Sequence, residues 1–180
     1  VSRNAVWKAI NSLRADGFVI DAIQNKGYLL SGGEDYDFTQ YGLMRIRQLL
    51  GKSAADAEIT IKDTVTSTNT LLRSAAESGA ANKTVLIANE QTEGRGRRGK
   101  SFYSPADSGI YMSVLLRPDF GADKSFFITA GAAVSAVRAV KKVCGIDAGI
   151  KWVNDIMLDG KKICGILTEA VTDFESGSLQ

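Results

Sequence analysis

Along this chain the apolar residues switch repeatedly between a two-residue and a three-to-four-residue spacing, and that switching limits the possible folds more than any other feature. Residues 58–65 alternate as a strand does, and residues 84–88 form a β-branched and apolar run. In residues 109–117, Ile110, Met112, Val114 and Leu116 alternate with Tyr111, Ser113 and Leu115, which reads as a two-sided strand. Between these runs, residues 69–78 read as a short helix closed by Gly79, and residues from about 124 to 142 as a long helix rich in small side chains. Residues 150–158 and 161–169 flank Asp159-Gly160, a pair that favours a type I′ hairpin because both of its positions need positive φ. Strands interleaved with helices in this way predict a mixed sheet covered by helices, in the α/β or α+β class.

The first thirty residues have a different character. Ser2 stands where an N-cap would, Val6, Ile10 and Leu13 follow at helical spacing, and Gly17 is a stop signal. The opposite face carries Arg3, Asn4, Lys8 and Asn11, side chains able to reach phosphates and base edges. Residues 18–23 and 28–30 are short apolar runs around Gln24-Asn25-Lys26-Gly27, so a hairpin with a basic tip follows the helix. The small, polar segment Ser31-Gly32-Gly33-Glu34-Asp35 reads as an inter-domain joint. A helix over residues 39–50 is then expected, ending at Gly51, with Leu43, Ile46, Leu49 and Leu50 on its buried side.

Composition removes several kinds of chemistry. With no histidine among 180 residues, Ser-His-Asp and Cys-His nucleophiles and His-ligated zinc are excluded. A net charge of +2 is too small to make the whole molecule bind polyanions, so phosphate or nucleic-acid chemistry must come from local clusters. Cys144 and Cys164 lack metal-site spacing and are expected to be reduced core thiols. No apolar run is long enough to span a bilayer and no signal peptide opens the chain, so a cytoplasmic protein is expected. The chain opens at Val1 without Met and stops at Gln180 without an evident capping element, which reads as a fragment.

Chemistry concentrates in Gly94-Arg95-Gly96-Arg97-Arg98-Gly99-Lys100, four cations and three glycines in seven residues, followed by Phe102-Tyr103. Glycines let backbone N–H groups turn inward on an anion, and arginine forks contact phosphates bidentately. The segment lacks the ending of a Walker loop. A solvated basic loop or a nucleic-acid tether is the alternative, but such tethers come as repeats, and this is a single copy between ordered runs.

Ser67-Thr68-Asn69, Gln91, Lys151-Trp152-Val153-Asn154-Asp155 and the run Lys162-Ile163-Cys164-Gly165-Ile166-Leu167-Thr168-Glu169 complete the set. With the basic loop, in this order, they resemble the catalytic domain of biotin–protein ligases, over roughly residues 63–169; Val153 stands where proline is usual. Ser2-Arg3, Ala5-Val6-Trp7-Lys8, Leu13-Arg14 and Lys26-Gly27-Tyr28-Leu29-Leu30 resemble the winged helix-turn-helix of the members of that family that also repress biotin genes.

The resemblance implies an α+β protein: a partial winged helix over residues 1–33, then a class II synthetase-like catalytic domain over 34–180, incomplete at its C-terminus. It implies conversion of biotin and ATP to biotinoyl-5′-AMP, with Mg²⁺, and transfer to a lysine of a biotin carboxyl carrier protein. Lys162 and Arg97 are the implied catalytic residues. Ser67, Thr68, Asn69, Gln91, Gly94, Arg95, Arg97, Lys162 and Gly165 would bind biotin, and Arg95, Arg97, Arg98, Phe102, Asn154, Asp155 and Lys162 the ATP or adenylate; no protein-held metal site is expected. A turn-stabilising role for Asp155, or a plain surface lysine at 162, is the bland alternative. Ser2, Arg3, Asn4, Lys8 and Lys26 would meet operator DNA in the full-length repressor, with a homodimer as its form. The helices that support the recognition helix in the family have no counterpart in the pattern, so only salt-sensitive, nonspecific DNA binding is expected of the chain itself. A lipoate–protein ligase, or a ligand-sensing repressor without catalysis, are the competing functions.

Overall fold

The computed structural model describes residues 2–15, 18–24, 26–30, 38–121 and 124–170. Gly17, Asn25 and the joint at 31–35 lie outside the described residues. The chain folds as two units, Val1–Asp56 and Ala57–Gln180. Residues 38–50 lie within the first of these compact units.

In the first unit, α1 (Arg3–Ala15) begins where Ser2 Oγ accepts the Ala5 N–H at 3.2 Å, an N-cap as expected. The hairpin of β1 (Ile20–Ile23) and β2 (Gly27–Leu30) follows, with Lys26 N–H donating to Ile23 O at 3.0 Å across the turn. Arg14 ties the helix to the hairpin by donating to the carbonyl of Ile20, the buried residue of β1. The expected packing face of α1 is not buried: Val6 and Leu13 are exposed, as is Trp7. Helix α2 (Phe38–Leu50) runs on into a 3₁₀ turn, Gly51–Ala54, instead of stopping at Gly51. Leu43 and Ile46 are half-buried, but Leu49 and Leu50 are exposed, contrary to expectation. Helical spacing tells which residues share a face; it does not tell whether another element covers that face.

The second unit opens with a β-α-β element: β3 (Ile59–Val65), α3 (Thr68–Glu77) and β4 (Val85–Gln91), with β3 and β4 parallel. Strand β5 (Tyr111–Val114) pairs antiparallel with β4, giving a three-stranded sheet in the order β3-β4-β5. Strand β4 is longer than its apolar run, since its polar end stays paired with β3 through Thr64–Glu90 and Val65–Gln91. Beneath α3, Leu72 and Ala76 pack with Leu86 and Leu115; beside them Val65, Ala88 and Tyr111 form a second cluster that Phe102 joins. The face of β5 that packs is Tyr111, Ser113 and Leu115, while Ile110, Met112 and Val114 stay exposed.

Helix α4 (Phe126–Cys144) ends on Gly145 at φ 74°, the left-handed C-cap that glycine adopts without penalty. Its Ala133 is fully buried, and it packs on β6 (Gly149–Lys151) and β7 (Asp155–Leu158). Strand β8 (Lys161–Gly165) completes an antiparallel sheet ordered β6-β7-β8, with Ile156 fully buried. Asp159 and Gly160 take φ 49° and 75°, as the type I′ turn requires. The β3-β4-β5 sheet, with one parallel and one antiparallel pairing, is the mixed sheet that the alternation predicted; among the described residues of this unit β6-β7-β8 form a second sheet, a division that periodicity does not reveal because it marks a strand without naming its neighbour. Both cysteines are free thiols, but Cys144 is exposed at the end of α4 rather than in a core.

Candidate active site around the basic loop

The junction of β3 and α3 brings the Ser-Thr-Asn segment together. Ser67 is extended (φ −157°) and buried, and its Oγ accepts the Thr70 N–H at 3.5 Å, so it caps α3 and fixes Thr68 and Asn69 in the first turn. Because Gln91 pairs with Val65, its side chain faces that turn: Oε1 accepts from Thr68 N at 2.9 Å and from Thr68 Oγ1 at 3.1 Å. Gln91 Nε2 donates to Ser104 Oγ at 3.0 Å, and Ser104 Oγ donates to Phe102 O at 3.0 Å. Ser113, buried on β5, lies 2.7 Å from Thr68 Oγ1 and also hydrogen-bonds Asn69 Oδ1. Asn69 Nδ2 donates to Glu169 Oε2 at 3.0 Å and to Leu167 O at 3.4 Å. Among the described residues no buried side-chain nitrogen or oxygen lacks a partner.

Three members of this network are not among the site residues expected from the sequence. Ser113 carries a signal, a hydroxyl on the same strand face as Tyr111 and Leu115. Glu169 closes the motif that begins at Lys162, yet the motif alone gives it no role. Ser104 carries no signal at all.

The basic loop is a hairpin. Phe102 N–H donates to Gly94 O at 2.8 Å, Gly96 N–H donates to Lys100 O at 2.7 Å, and Arg95 bridges Ser101. At the tip, Arg97–Gly99 forms one 3₁₀ turn, with Arg98 at φ 57° and Gly99 at φ 73°. Two of the glycines have structural work inside the hairpin. A Cβ on Gly94 would stand 2.2 Å from Phe102 O and 2.6 Å from Ser104 Oγ, so this glycine serves close approach of the two arms. The Gly96 N–H is spent inside the hairpin and is not offered to an anion.

The loop's cations reach residues of the two C-terminal motifs. Arg97 Nη1 donates to Asn154 Oδ1 at 2.8 Å; Asn154, buried, donates from Nδ2 to Asp155 Oδ1 at 3.0 Å and to Ile166 O at 3.3 Å. Asp155 Oδ1 in turn lies 2.7 Å from Lys162 Nζ. The Lys162 side chain crosses Gly165, whose Cβ, if present, would stand 2.8 Å from Cε and 2.9 Å from Nζ, and Nζ is 6.0 Å from the centre of the Phe102 ring. Arg95 Nη2 pairs with Glu169 Oε1 at 3.1 Å, and Arg98 is exposed at the tip. Arg95, Arg97 and Lys162 against Asp155 and Glu169 leave one net positive charge here, before Arg98 and Lys100 are added. Burial pushes the neighbouring Cys164 thiol above its ordinary range; Lys162 opposes that shift and Asp155 adds to it. No group of three or more metal-ligating side chains occurs among the described residues.

A preorganised cluster of this kind, cations held by the buried Asn154 and the half-buried Asp155 and Glu169, suits a negatively charged ligand. The family pattern described as "Biotin/lipoate A/B protein ligase family" matches residues 61–178. The chain belongs to that family. An "HTH domain" pattern matches residues 1–29 of this ligase-family chain, the part that forms α1 and the hairpin. The chain is 37% identical over 171 residues to the bifunctional ligase/repressor BirA of Bacillus spizizenii, covering 93% of this chain and 50% of that protein. It also resembles the biotin protein ligase of Aquifex aeolicus solved with biotin and ATP (TM-score 0.53, 28% identity, 68% of this chain and 49% of that one). A similar likeness holds to the Leishmania major enzyme solved with biotinyl-5-AMP (TM-score 0.55, 25% identity, 68% of this chain and 54% of that one). This family member therefore has the α+β class expected, and it spans about half the length of the curated relatives it matches. Among the described residues no helix is long and apolar enough to cross a membrane.

Proposed function

We propose that this chain carries the adenylate-forming part of a biotin–[acetyl-CoA-carboxylase] ligase. A carboxylate oxygen of biotin attacks the α-phosphorus of ATP, pyrophosphate leaves, and biotinoyl-5′-AMP forms. The amine of one lysine on a biotin carboxyl carrier protein then attacks the mixed anhydride, with AMP leaving. The observation that carries this reading is the polar chain Arg97–Asn154–Asp155–Lys162, which fixes two cations from distant segments in one cluster. Lys162 offsets charge at the α-phosphate and Arg97 holds the phosphate from the loop. Arg95, Arg98, Phe102, Asn154 and Asp155 complete the nucleotide side. Ser67, Thr68, Asn69 and Gln91, with Gly94, Arg95, Arg97, Lys162 and Gly165, serve the biotin side. Were Mg²⁺ to accompany ATP, Asp155 would be the carboxylate to help hold it, and the ion would offset charge on the phosphates.

In this reading residues 34–180 are the catalytic domain and residues 1–33 the DNA-reading domain of a cytoplasmic, homodimeric repressor. Ser2, Arg3, Asn4, Lys8 and Lys26, all exposed, are its operator contacts. Incubation of the chain with biotin and ATP, followed by mass spectrometry, should yield biotinoyl-AMP and pyrophosphate. Product with lipoate but not with biotin would transfer the reading to lipoate–protein ligation, and ligand binding with no product would leave a sensor.

A further inference from the structure

We infer that Glu169 is a positioning residue, whose carboxylate holds Arg95 of the basic hairpin and Asn69 at the start of α3 in one arrangement before any ligand arrives. Its two oxygens are divided between two partners: Oε1 lies 3.1 Å from Arg95 Nη2 and Oε2 accepts from Asn69 Nδ2 at 3.0 Å. The anchor is firm, because Asn69 is also bound by Ser113 from β5 and by the carbonyl of Leu167. The loop end is only lightly engaged. Arginine has five N–H donors, and one nitrogen meeting one carboxylate oxygen leaves most of the fork available to an anion. Glu169 thus sets the direction of Arg95 without saturating it.

That the arranged Arg95 serves an anionic adenylate rests on the function proposed above; that Glu169 orders the hairpin does not. A carboxylate suits this geometry because the two donors meet different oxygens, and a glutamine would set its NH₂ donor against either Arg95 or Asn69. Glu169→Gln in the full chain, without ligand, should raise the rate of tryptic cleavage after Arg97 and Arg98 by about threefold to tenfold, the size expected of a half-exposed charge-assisted contact. The melting temperature should stay close to the parent value. Arg95→Ala, which attacks the contact from the loop side, should give the same rise, and the double variant should give no more than either single. In pyrophosphate release, Glu169→Gln should raise the KM for biotin by a similar factor while leaving kcat within about twofold. Cleavage of Glu169→Gln at the parent rate, or fully additive effects in the double variant, would overturn the inference. A parent chain that releases no pyrophosphate would refute the ligase reading instead, and the cleavage rates would still decide the role of Glu169.

Discussion

Arg97, at the tip of the basic hairpin, donates to Asn154 Oδ1 at 2.8 Å and joins two segments 57 positions apart. Through Asn154 and Asp155 the same contact extends to Lys162, so neither cation of the cluster is oriented independently of the other. Such a chain holds charged side chains still before a ligand arrives, which is what makes preorganised charge effective.

Asn154→Ala should therefore act at two places. It leaves Ile166 O without one donor and Arg97 without its acceptor, at a cost of about 1–3 kcal/mol in a denaturant titration. The tip of the hairpin should also become more open to trypsin after Arg98. A stability loss with unchanged cleavage would separate Asn154 from the loop.

Two glycines should respond in opposite ways to alanine. At Gly94 the new Cβ meets a backbone carbonyl at 2.2 Å, so the arms of the hairpin must part and the Gly96–Lys100 pairing should loosen. At Gly165 the obstacle is the far end of Lys162, which can swing aside. Gly165→Ala should thus keep the fold, within about 1 kcal/mol, and lose activity because Lys162 leaves its place. Thermal unfolding combined with pyrophosphate release checks both. A stable, active Gly94→Ala chain, or an unchanged Gly165→Ala enzyme, would contradict the packing of these two glycines.

What can be read from residues alone follows from where the determinants lie. The β3-α3-β4 element and the Asp159-Gly160 turn are written in neighbouring residues, and apart from the polar end of β4 they appear within a residue or two of expectation. The clustering of Arg97 with Asn154, or of Asn69 with Glu169, depends on contacts between segments far apart in sequence, and no spacing encodes it. For the same reason the exposure of Leu49, Leu50 and Cys144 and the splitting of the strands into two sheets are not legible in the sequence. Resemblance to a family supplies the site residues but not their hydrogen bonds. Gly94 and Gly96 work within the hairpin, where composition alone would assign them to an anion.

Lys162→Ala should slow adenylate formation about 10²- to 10³-fold, an effect of about 3–4 kcal/mol on the reacting phosphate. Its side chain is half exposed, so its pairing with Asp155 contributes little to stability, and the denaturation midpoint should hardly move. Pyrophosphate release at the parent rate would reduce Lys162 to a surface lysine.

The last prediction needs no substrate. Cys164 is half-buried beside Lys162 and Asp155, and its thiol lies above the ordinary range because burial disfavours the thiolate; Cys144 is exposed. Iodoacetamide reacts with thiolate, so at mildly alkaline pH the exposed Cys144 should be alkylated first, and the pH–rate curve of Cys164 should have its midpoint above that of an ordinary thiol. Access alone would slow Cys164 without moving that midpoint. The two neighbours then give opposite signs: Lys162→Ala removes the charge that favours the thiolate and should raise the midpoint further, whereas Asp155→Asn should lower it. For stability the sign follows from the raised folded-state pKa. The neutral thiol's contribution is fully present below the pKa of the unfolded thiol and is lost as pH rises through the folded value, because the unfolded chain ionises first. The stability of the parent relative to Cys164→Ala, which cannot titrate, should accordingly fall only in the alkaline range. A midpoint for Cys164 at or below that of an ordinary thiol, or the same response to both neighbouring substitutions, would show that the thiol does not lie within the Lys162–Asp155 cluster.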